Sequence, residues 1–226
     1  RYVCESVENS DGTPFLPDES QLPEIANACK GMTQAQTIDR VALAVRKYHD
    51  LNPEAAKLIL SEKAGVIKNS GILTYHEPFA GGLSVVGGLA ALKEHVQFDI
   101  PCFGEEARKF GIEPPKGVLL VGTPGCGKTL ISIAIASEFG FPLIQMDVGN
   151  LMSKFVGESE SNIREAIRIL ESIAPCVLQL DEIEKGFGGT GDLDGGSSRR
   201  VFGTFLKWMN DKTSPVYIIA TANQVQ

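Results

Sequence analysis

The sequence lacks an apolar run long enough to cross a bilayer, although 43% of its 226 residues are hydrophobic. A secretory signal peptide is also missing from its start. We therefore expect a globular chain that folds as one large domain or two small ones and does not associate with a membrane.

Cysteine is sparse, and its spacing carries no metal or disulfide signature. The number of cysteines is odd and none form a CxxC pair, which argues against a disulfide framework or a zinc site and fits a reducing compartment. We expect a cytoplasmic location. The five positions are Cys4, Cys29, Cys102, Cys126 and Cys176.

Positive charge is also in deficit. Lysine and arginine number 21 against 28 aspartates and glutamates, so the formal net charge is −7. An acidic chain of this kind is poorly suited to the phosphate backbone of DNA or RNA. We therefore do not expect a nucleic-acid partner.

The most informative segment that is present is a glycine-rich turn between two apolar runs. The run before it, at 117–121, reads as a buried strand, and the run after it, at 130–136, reads as a helix. Strand, glycine-rich turn, Lys-Thr and helix together are the context of a phosphate-binding P-loop. The turn is Gly122-Thr123-Pro124-Gly125-Cys126-Gly127-Lys128-Thr129.

Each residue type in this turn suits a nucleoside triphosphate. Glycines allow backbone N–H groups to line a concave anion site, and the helix N-terminus adds positive potential. We expect Lys128 to bind the β and γ phosphates and the Thr129 hydroxyl to bind Mg²⁺.

A second apolar strand, 176–180, ends in two acids, Asp181 and Glu182. A carboxylate at this position beside the P-loop would join the Mg²⁺ ligands, so we assign Asp181 to the metal. Glu182 is suited to activate a water molecule against the γ-phosphate. Gln179 is unusual inside an apolar strand, which predicts either a buried partner or a polar seam.

A third strand, 215–221, is followed by Asn223. This amide is a candidate for holding the attacking water or contacting the γ-phosphate. Its residue chemistry alone favours the other role, that of a turn residue that closes a strand.

Strands and helices alternate from about residue 83. We predict strands at 117–121, 142–147, 176–180 and 215–221, and helices at 89–97, 128–138, 158–173 and 198–211. Such alternation is typical of an α/β fold with a parallel sheet flanked by helices, and open sheets of this type bind ligands at the carboxyl edge. Before it we expect an extended acidic segment (1–21) and a small helical region (22–80, with helices as far as 76); the nucleotide-binding subdomain spans 83–226.

With these motifs assembled, the chain resembles an AAA ATPase module. The resemblance rests on Val86-Gly87-Gly88-Leu89, the P-loop, Asp181-Glu182, Asn223 and the segment 153–160. It implies ATP with Mg²⁺ as ligands, and it adds Gly87 and Leu130 to the nucleotide-binding positions. It also implies a homo-oligomeric ring in which a pore loop grips a protein chain, formed here by Lys154, Phe155, Val156 and Gly157.

Three further segments, 62–73, 200–206 and 212–215, are similar to a plastid and cyanobacterial type of single-module AAA protein. In a plastid-bearing source the expected location would be the stroma. The resemblance places the arginine finger and the helical lid after Asn223, beyond Gln226, so we expect this chain to lack both and to hydrolyse ATP slowly.

The leading hypothesis is therefore an ATP hydrolase that remodels or threads a protein partner. The alternative is a nucleotide-dependent switch or scaffold, for which hydrolysis is incidental and the helical region recruits a partner. A P-loop kinase is a third reading, which phosphate on a metabolite would favour over free phosphate. A DNA-loading role gains no support from the acidic composition.

Overall fold

The computed structural model describes residues 15, 17–29, 34–56, 58–59, 67, 72–79, 81–148, 159–184 and 195–223. The chain divides into two compact units, Arg1–Asn69 and Ser70–Gln226. None of the described helices is both long and apolar enough to span a membrane.

The first unit is helical where it is described. Helix α1 spans Leu22–Cys29 and helix α2 spans Gln34–Tyr48. A helical turn at 53–56 begins after Asn52, whose Oδ1 accepts a hydrogen bond from the Ala55 N–H at 3.0 Å, which is the geometry of an N-cap. The apolar faces of these elements share one core, made of Phe15, Ile25, Ala28, Val41, Ala44, Val45, Leu51, Ala55, Ala56 and Ile59.

The second unit is built on a five-stranded sheet. Its strands are β1 (Leu73–His76), β2 (Gly117–Val121), β3 (Leu143–Asp147), β4 (Cys176–Asp181) and β5 (Val216–Ala222), in the spatial order β1-β3-β4-β5-β2. Its α-helices are α3 (Ala90–Asp99), α4 (Glu105–Lys109), α5 (Lys128–Phe139), α6 (Ser159–Ile173) and α7 (Gly195–Asp211), and short 3-10 helices span Gly82–Val85 and Ile100–Phe103. The predicted strands from β2 onward are confirmed, with ends that differ by at most one residue.

The prediction of helix as far as residue 76 is wrong at its end. Leu73–His76 is strand β1, which pairs antiparallel with β3 so that Leu73 faces Met146 and His76 faces Leu143. The sheet is therefore mixed, with an antiparallel edge strand on four parallel strands. The four-residue segment gains its ladder hydrogen bonds from a strand far along the chain, which outweighs a weak local preference.

Parallel pairing of β3, β4, β5 and β2 brings their carboxyl ends to one edge of the sheet. All residues of Cys176–Leu180 are buried, so β4 is covered on both faces. One face packs on α5 and α3 through a single core, formed by Leu83, Val86, Val96, Ala134, Ile135, Ala136, Phe139, Leu143, Val177, Tyr217 and Ile219. This rigid support fixes the loops that follow β2, β4 and β5.

Candidate nucleotide-binding site

The glycine-rich turn joins the carboxyl end of β2 to the start of α5. Gly125 and Gly127 adopt the left-handed conformation, with φ of 80° and 91°, which side chains rarely tolerate. A Cβ at Gly122 would lie 2.8 Å from the Cys126 Sγ, so glycine there lets the loop close on itself. The loop then enters α5 at Lys128, where first-turn N–H groups have no carbonyl of a preceding turn to bind and favour an anion.

Lys128 is held across this loop by three acceptors. Its Nζ donates hydrogen bonds to the Gly122 carbonyl at 2.6 Å, to the Thr123 carbonyl at 3.1 Å and to the Asn223 Oδ1 at 3.0 Å. An ammonium group has three donors, and all three are used. The amine therefore lies over the loop that the sequence assigns to phosphate.

Asn223 connects Lys128 to Glu182. Its Oδ1 accepts from Lys128, and its Nδ2 donates to the Glu182 Oε1 at 3.3 Å. Only this orientation of the amide suits a cation on one side and a carboxylate on the other. The Asn223 N–H also donates to the Glu184 Oε1 at 3.1 Å. Asn223 does close strand β5, as its turn chemistry suggests, and it also bridges two of the predicted site residues.

Glu182 has an unusual backbone for its residue type. Its φ is 53°, in the left-handed region, and its N–H donates to the Thr221 Oγ1 at 3.3 Å. Left-handed backbone outside glycine costs about 1–3 kcal/mol and is concentrated at functional sites.

Asp181 accepts three hydrogen bonds, two from neighbouring strands and one from its own strand. Gln145 Nε2 donates to Oδ2 at 2.6 Å, while Gln179 Nε2 and Thr221 Oγ1 donate to Oδ1, both at 2.8 Å. The predicted polar seam is thus present: Gln179 is fully buried, and its partner is the carboxylate two residues along the same strand face.

The sequence analysis missed Gln145 and Thr221 as partners of Asp181. Gln145 interrupts an apolar strand just as Gln179 does, which is a usable signal, and the two residues are register partners between β3 and β4. Asp147, the register partner of Asp181, is a further half-buried acid at this edge that was not named.

The remaining predicted nucleotide positions are exposed. Thr123, Pro124, Gly125, Cys126, Thr129 and Leu130 lie on the loop and the first turn of α5, and Gly87 lies in the turn before α3. The segment leading to Gly87 is tied to α5, because the Phe79 N–H donates to the Ser137 Oγ at 3.0 Å and the Leu83 N–H donates to the Glu138 Oε2 at 2.9 Å. The predicted pore loop, Lys154, Phe155, Val156 and Gly157, lies outside the described residues.

The donor set at this edge fits Mg²⁺. Within the described ranges no cluster of three or more His, Cys, Asp or Glu side chains could hold a metal by itself. Mg²⁺ usually binds one or two protein oxygens together with substrate phosphates and water. The Thr129 hydroxyl and the Asp181 carboxylate supply oxygens of that kind.

Comparison with known proteins agrees with this geometry. Residues 118–226 match the model of the family described as "ATPase family associated with various cellular activities (AAA)". An AAA domain-containing protein named ycf46 from Guillardia theta is 38% identical over 93% of this chain and 41% of its own length. The ycf46 protein of Pyropia yezoensis is 39% identical over 89% of this chain and 41% of its own length.

Solved structures give the same result. The crystal structure of the FIGL-1 AAA domain is 28% identical, with a TM-score of 0.56, over 72% of this chain and 54% of that chain. The FIGL-1 AAA domain in complex with ADP is 27% identical, with a TM-score of 0.56, over 72% of this chain and 55% of that chain. This chain spans about two fifths of the length of the curated relatives that it matches. The fold, the loop and these similarities together show that the chain carries a domain of the AAA ATPase family.

Proposed function

We propose that this site binds ATP with Mg²⁺ and hydrolyses it to ADP and phosphate. The observation that carries the proposal is the connected set Lys128–Asn223–Glu182, which joins the phosphate loop to the candidate base within hydrogen-bond distance. The FIGL-1 AAA domain binds ADP, which supports a nucleotide as the ligand of this related fold.

Binding would exchange the partners of Lys128. In the structure its ammonium is bound by two loop carbonyls and Asn223. The β and γ phosphate oxygens carry full charge and accept stronger hydrogen bonds than carbonyls do. Lys128 would therefore move from the Gly122 and Thr123 carbonyls to the triphosphate, while the loop N–H groups surround the phosphates.

Hydrolysis requires a water molecule placed in line with the γ-phosphate. The Glu182 carboxylate would accept a proton from that water as its oxygen attacks phosphorus and the bond to ADP breaks. Mg²⁺, when bound by Thr129 and Asp181, would neutralise charge that develops on the phosphate oxygens. Asn223 would keep Glu182 at a fixed distance from the γ-phosphate site.

We propose further that hydrolysis drives remodelling or threading of a protein partner by a homo-oligomeric ring. The match to the AAA family is the support for this second proposal. The alternative, a nucleotide-dependent switch or scaffold, would use the same binding residues without a need for turnover.

Phosphate release and nucleotide binding, measured side by side with and without Mg²⁺, test the proposal. The variant Lys128→Met should weaken ATP binding by at least about tenfold, because it removes the only side-chain ammonium on the loop. The matched control is Lys109→Met, since Lys109 lies exposed on α4. Equal ATP affinity in wild type, Lys128→Met and Lys109→Met would refute the site.

A further inference from the structure

The two carboxylate oxygens of Asp181 differ in their hydrogen bonds. Within the described residues, Oδ1 accepts from both Gln179 and Thr221, whereas Oδ2 accepts from Gln145 alone. Each carboxylate oxygen offers about two acceptor sites. Oδ1 is therefore saturated, and Oδ2 keeps one site for a further partner.

The orientation of the Gln145 amide is fixed by Asp181. A carboxylate only accepts hydrogen bonds, so the Gln145 Nε2, and not its Oε1, has to face Asp181. The Gln145 Oε1 then lies 2.8 Å from the Nε2 of His76 on β1, and it accepts from that nitrogen in the tautomer that carries the hydrogen there.

Gln179 is fixed by burial. The residue has no exposed surface, and its Oε1 has no hydrogen-bond partner within the described part of the chain. A buried amide oxygen without a partner is unfavourable, whereas an apolar side chain there would carry no such penalty. Its Nε2 is committed to Asp181, which gives this amide a use that packing alone does not explain.

We propose that Gln145 and Gln179 are positioning residues that clamp the Asp181 carboxylate, so that only Oδ2 is offered to the metal, through a single oxygen. The inference rests on the proposed function of the same site. Both glutamines lie on paired strands, so the clamp is rigid. A one-oxygen carboxylate suits the strict octahedral shell of Mg²⁺, whereas Ca²⁺ accepts two-oxygen coordination and looser geometry.

The test measures the affinity of a fluorescent ATP analogue in EDTA, in Mg²⁺ and in Ca²⁺. The variants are Gln145→Met and Gln179→Met, which keep side-chain length and remove the donor, and Gln145→Glu, which sets a carboxylate against Asp181. Gln97→Met, at an exposed position on α3, is the control.

We expect affinity in EDTA to stay within twofold of wild type in every variant. The gain in affinity for the ATP analogue on adding Mg²⁺ should fall about tenfold in Gln145→Met and in Gln179→Met. It should fall further in Gln145→Glu. Losses of this size are typical when a hydrogen-bond partner of a metal ligand is removed. The ratio of the affinity in Mg²⁺ to the affinity in Ca²⁺ should decrease in the same order of variants. A purely structural role would not change that preference.

An unchanged Mg²⁺ gain and an unchanged preference in both methionine variants would overturn the clamp while leaving the ATP site intact. Failure of wild type to gain affinity with Mg²⁺ would instead refute the proposed function, and the clamp with it. Should a glutamine variant not fold, His76→Phe removes the partner of the Gln145 Oε1 while all three donors to Asp181 stay in the chain. It is expected to lower the Mg²⁺ gain in the same direction, and no change there would also contradict the clamp.

Discussion

Lys128 Nζ lies 3.0 Å from the Asn223 Oδ1, so the end of the glycine-rich loop after β2 is hydrogen-bonded to the residue that follows β5. The two strands are parallel neighbours, which places both carboxyl ends at one edge of the sheet. Asn223 also donates to Glu182 at 3.3 Å, and the state of the phosphate loop is thereby linked to the position of the candidate base.

Replacing Asn223 should separate binding from turnover. In Asn223→Ala, Lys128 keeps its two loop carbonyls and can still bind phosphate, whereas Glu182 loses the amide that holds its carboxylate. We expect ATP affinity within about threefold of wild type and a turnover number lower by about 10²-fold, a typical effect of a misplaced general base. Steady-state phosphate release with a binding titration measures both.

Asn223→Asp is a second variant that tests the contact between Asn223 and Glu182. It would place a second carboxylate beside Glu182, and like charges at this separation repel each other. Turnover should be no better than in Asn223→Ala. Wild-type turnover in both variants would show that Asn223 only closes the strand.

We expect Lys212 to make the free energy of unfolding depend on pH in the alkaline range. The residue is 6% exposed, its Nζ donates to the Val216 carbonyl, and Lys116 approaches the Lys212 carbonyl at 2.9 Å. Burial, with a smaller contribution from the Lys116 charge, lowers the pKa of Lys212 to about 8. The unfolded chain has the usual pKa near 10.5, so between these values the unfolded state binds the extra proton.

The free energy of unfolding should therefore rise with pH from about 8 to about 10, with a slope of up to about 1.4 kcal/mol per pH unit from this group. Lys212→Met should abolish that rise, while Lys207→Met, at an exposed site on α7, should preserve it. Urea unfolding at several pH values measures the slope. An identical rise in wild type and in Lys212→Met would exclude Lys212 as its source.

Two tyrosines should reverse the trend above pH 10. Burial and the nearby Glu77 raise the pKa of Tyr75 to about 12, and burial and the hydrogen bond to Asp99 also raise the pKa of Tyr217. Since the unfolded tyrosines ionise near 10 and the folded ones do not, the folded state binds more protons and stability falls as pH rises. Tyr75→Phe should reduce the steepness of the fall, as followed by the same unfolding series; no difference from wild type would contradict the assignment.

Tyr217 and Asp99 form a buried pair that stabilises the second unit. The Tyr217 hydroxyl donates to the Asp99 Oδ2 at 2.9 Å, and Asp99 is 5% exposed. Tyr217→Phe keeps the ring against Phe139 and leaves the carboxylate with one partner fewer. We expect a loss of about 1–3 kcal/mol in the free energy of unfolding, with ATP affinity unchanged. Equal stability would mean that His95, 3.3 Å from Asp99, suffices for the carboxylate.

Much of the second unit was predictable because its signals are local. Strand β4 reads as an unbroken apolar run ending in acids, and the glycines before Lys128 mark a turn whose conformation few other residues accept. Strand β1 was missed because its four residues are ordered by pairing with β3, about 70 positions away. No local pattern encodes that contact.

The candidate site was predictable residue by residue but not as a network. Lys128, Asp181 and Glu182 follow from motif chemistry. The connection of Lys128 to Glu182 through Asn223 depends on β5 lying between β4 and β2. The partnership of Gln145 with Asp181 depends on the register of β3 on β4. Strand order and register arise from tertiary packing, which a single sequence does not state directly.

The most direct test of the central claim is a comparison of ATP binding and phosphate release in wild type and Glu182→Gln at saturating Mg²⁺. The amide retains the shape of Glu182 and cannot accept the proton of the attacking water. We predict ATP affinity within about twofold of wild type and phosphate release reduced by at least about 10²-fold. Phosphate release at the wild-type rate in Glu182→Gln would contradict the account.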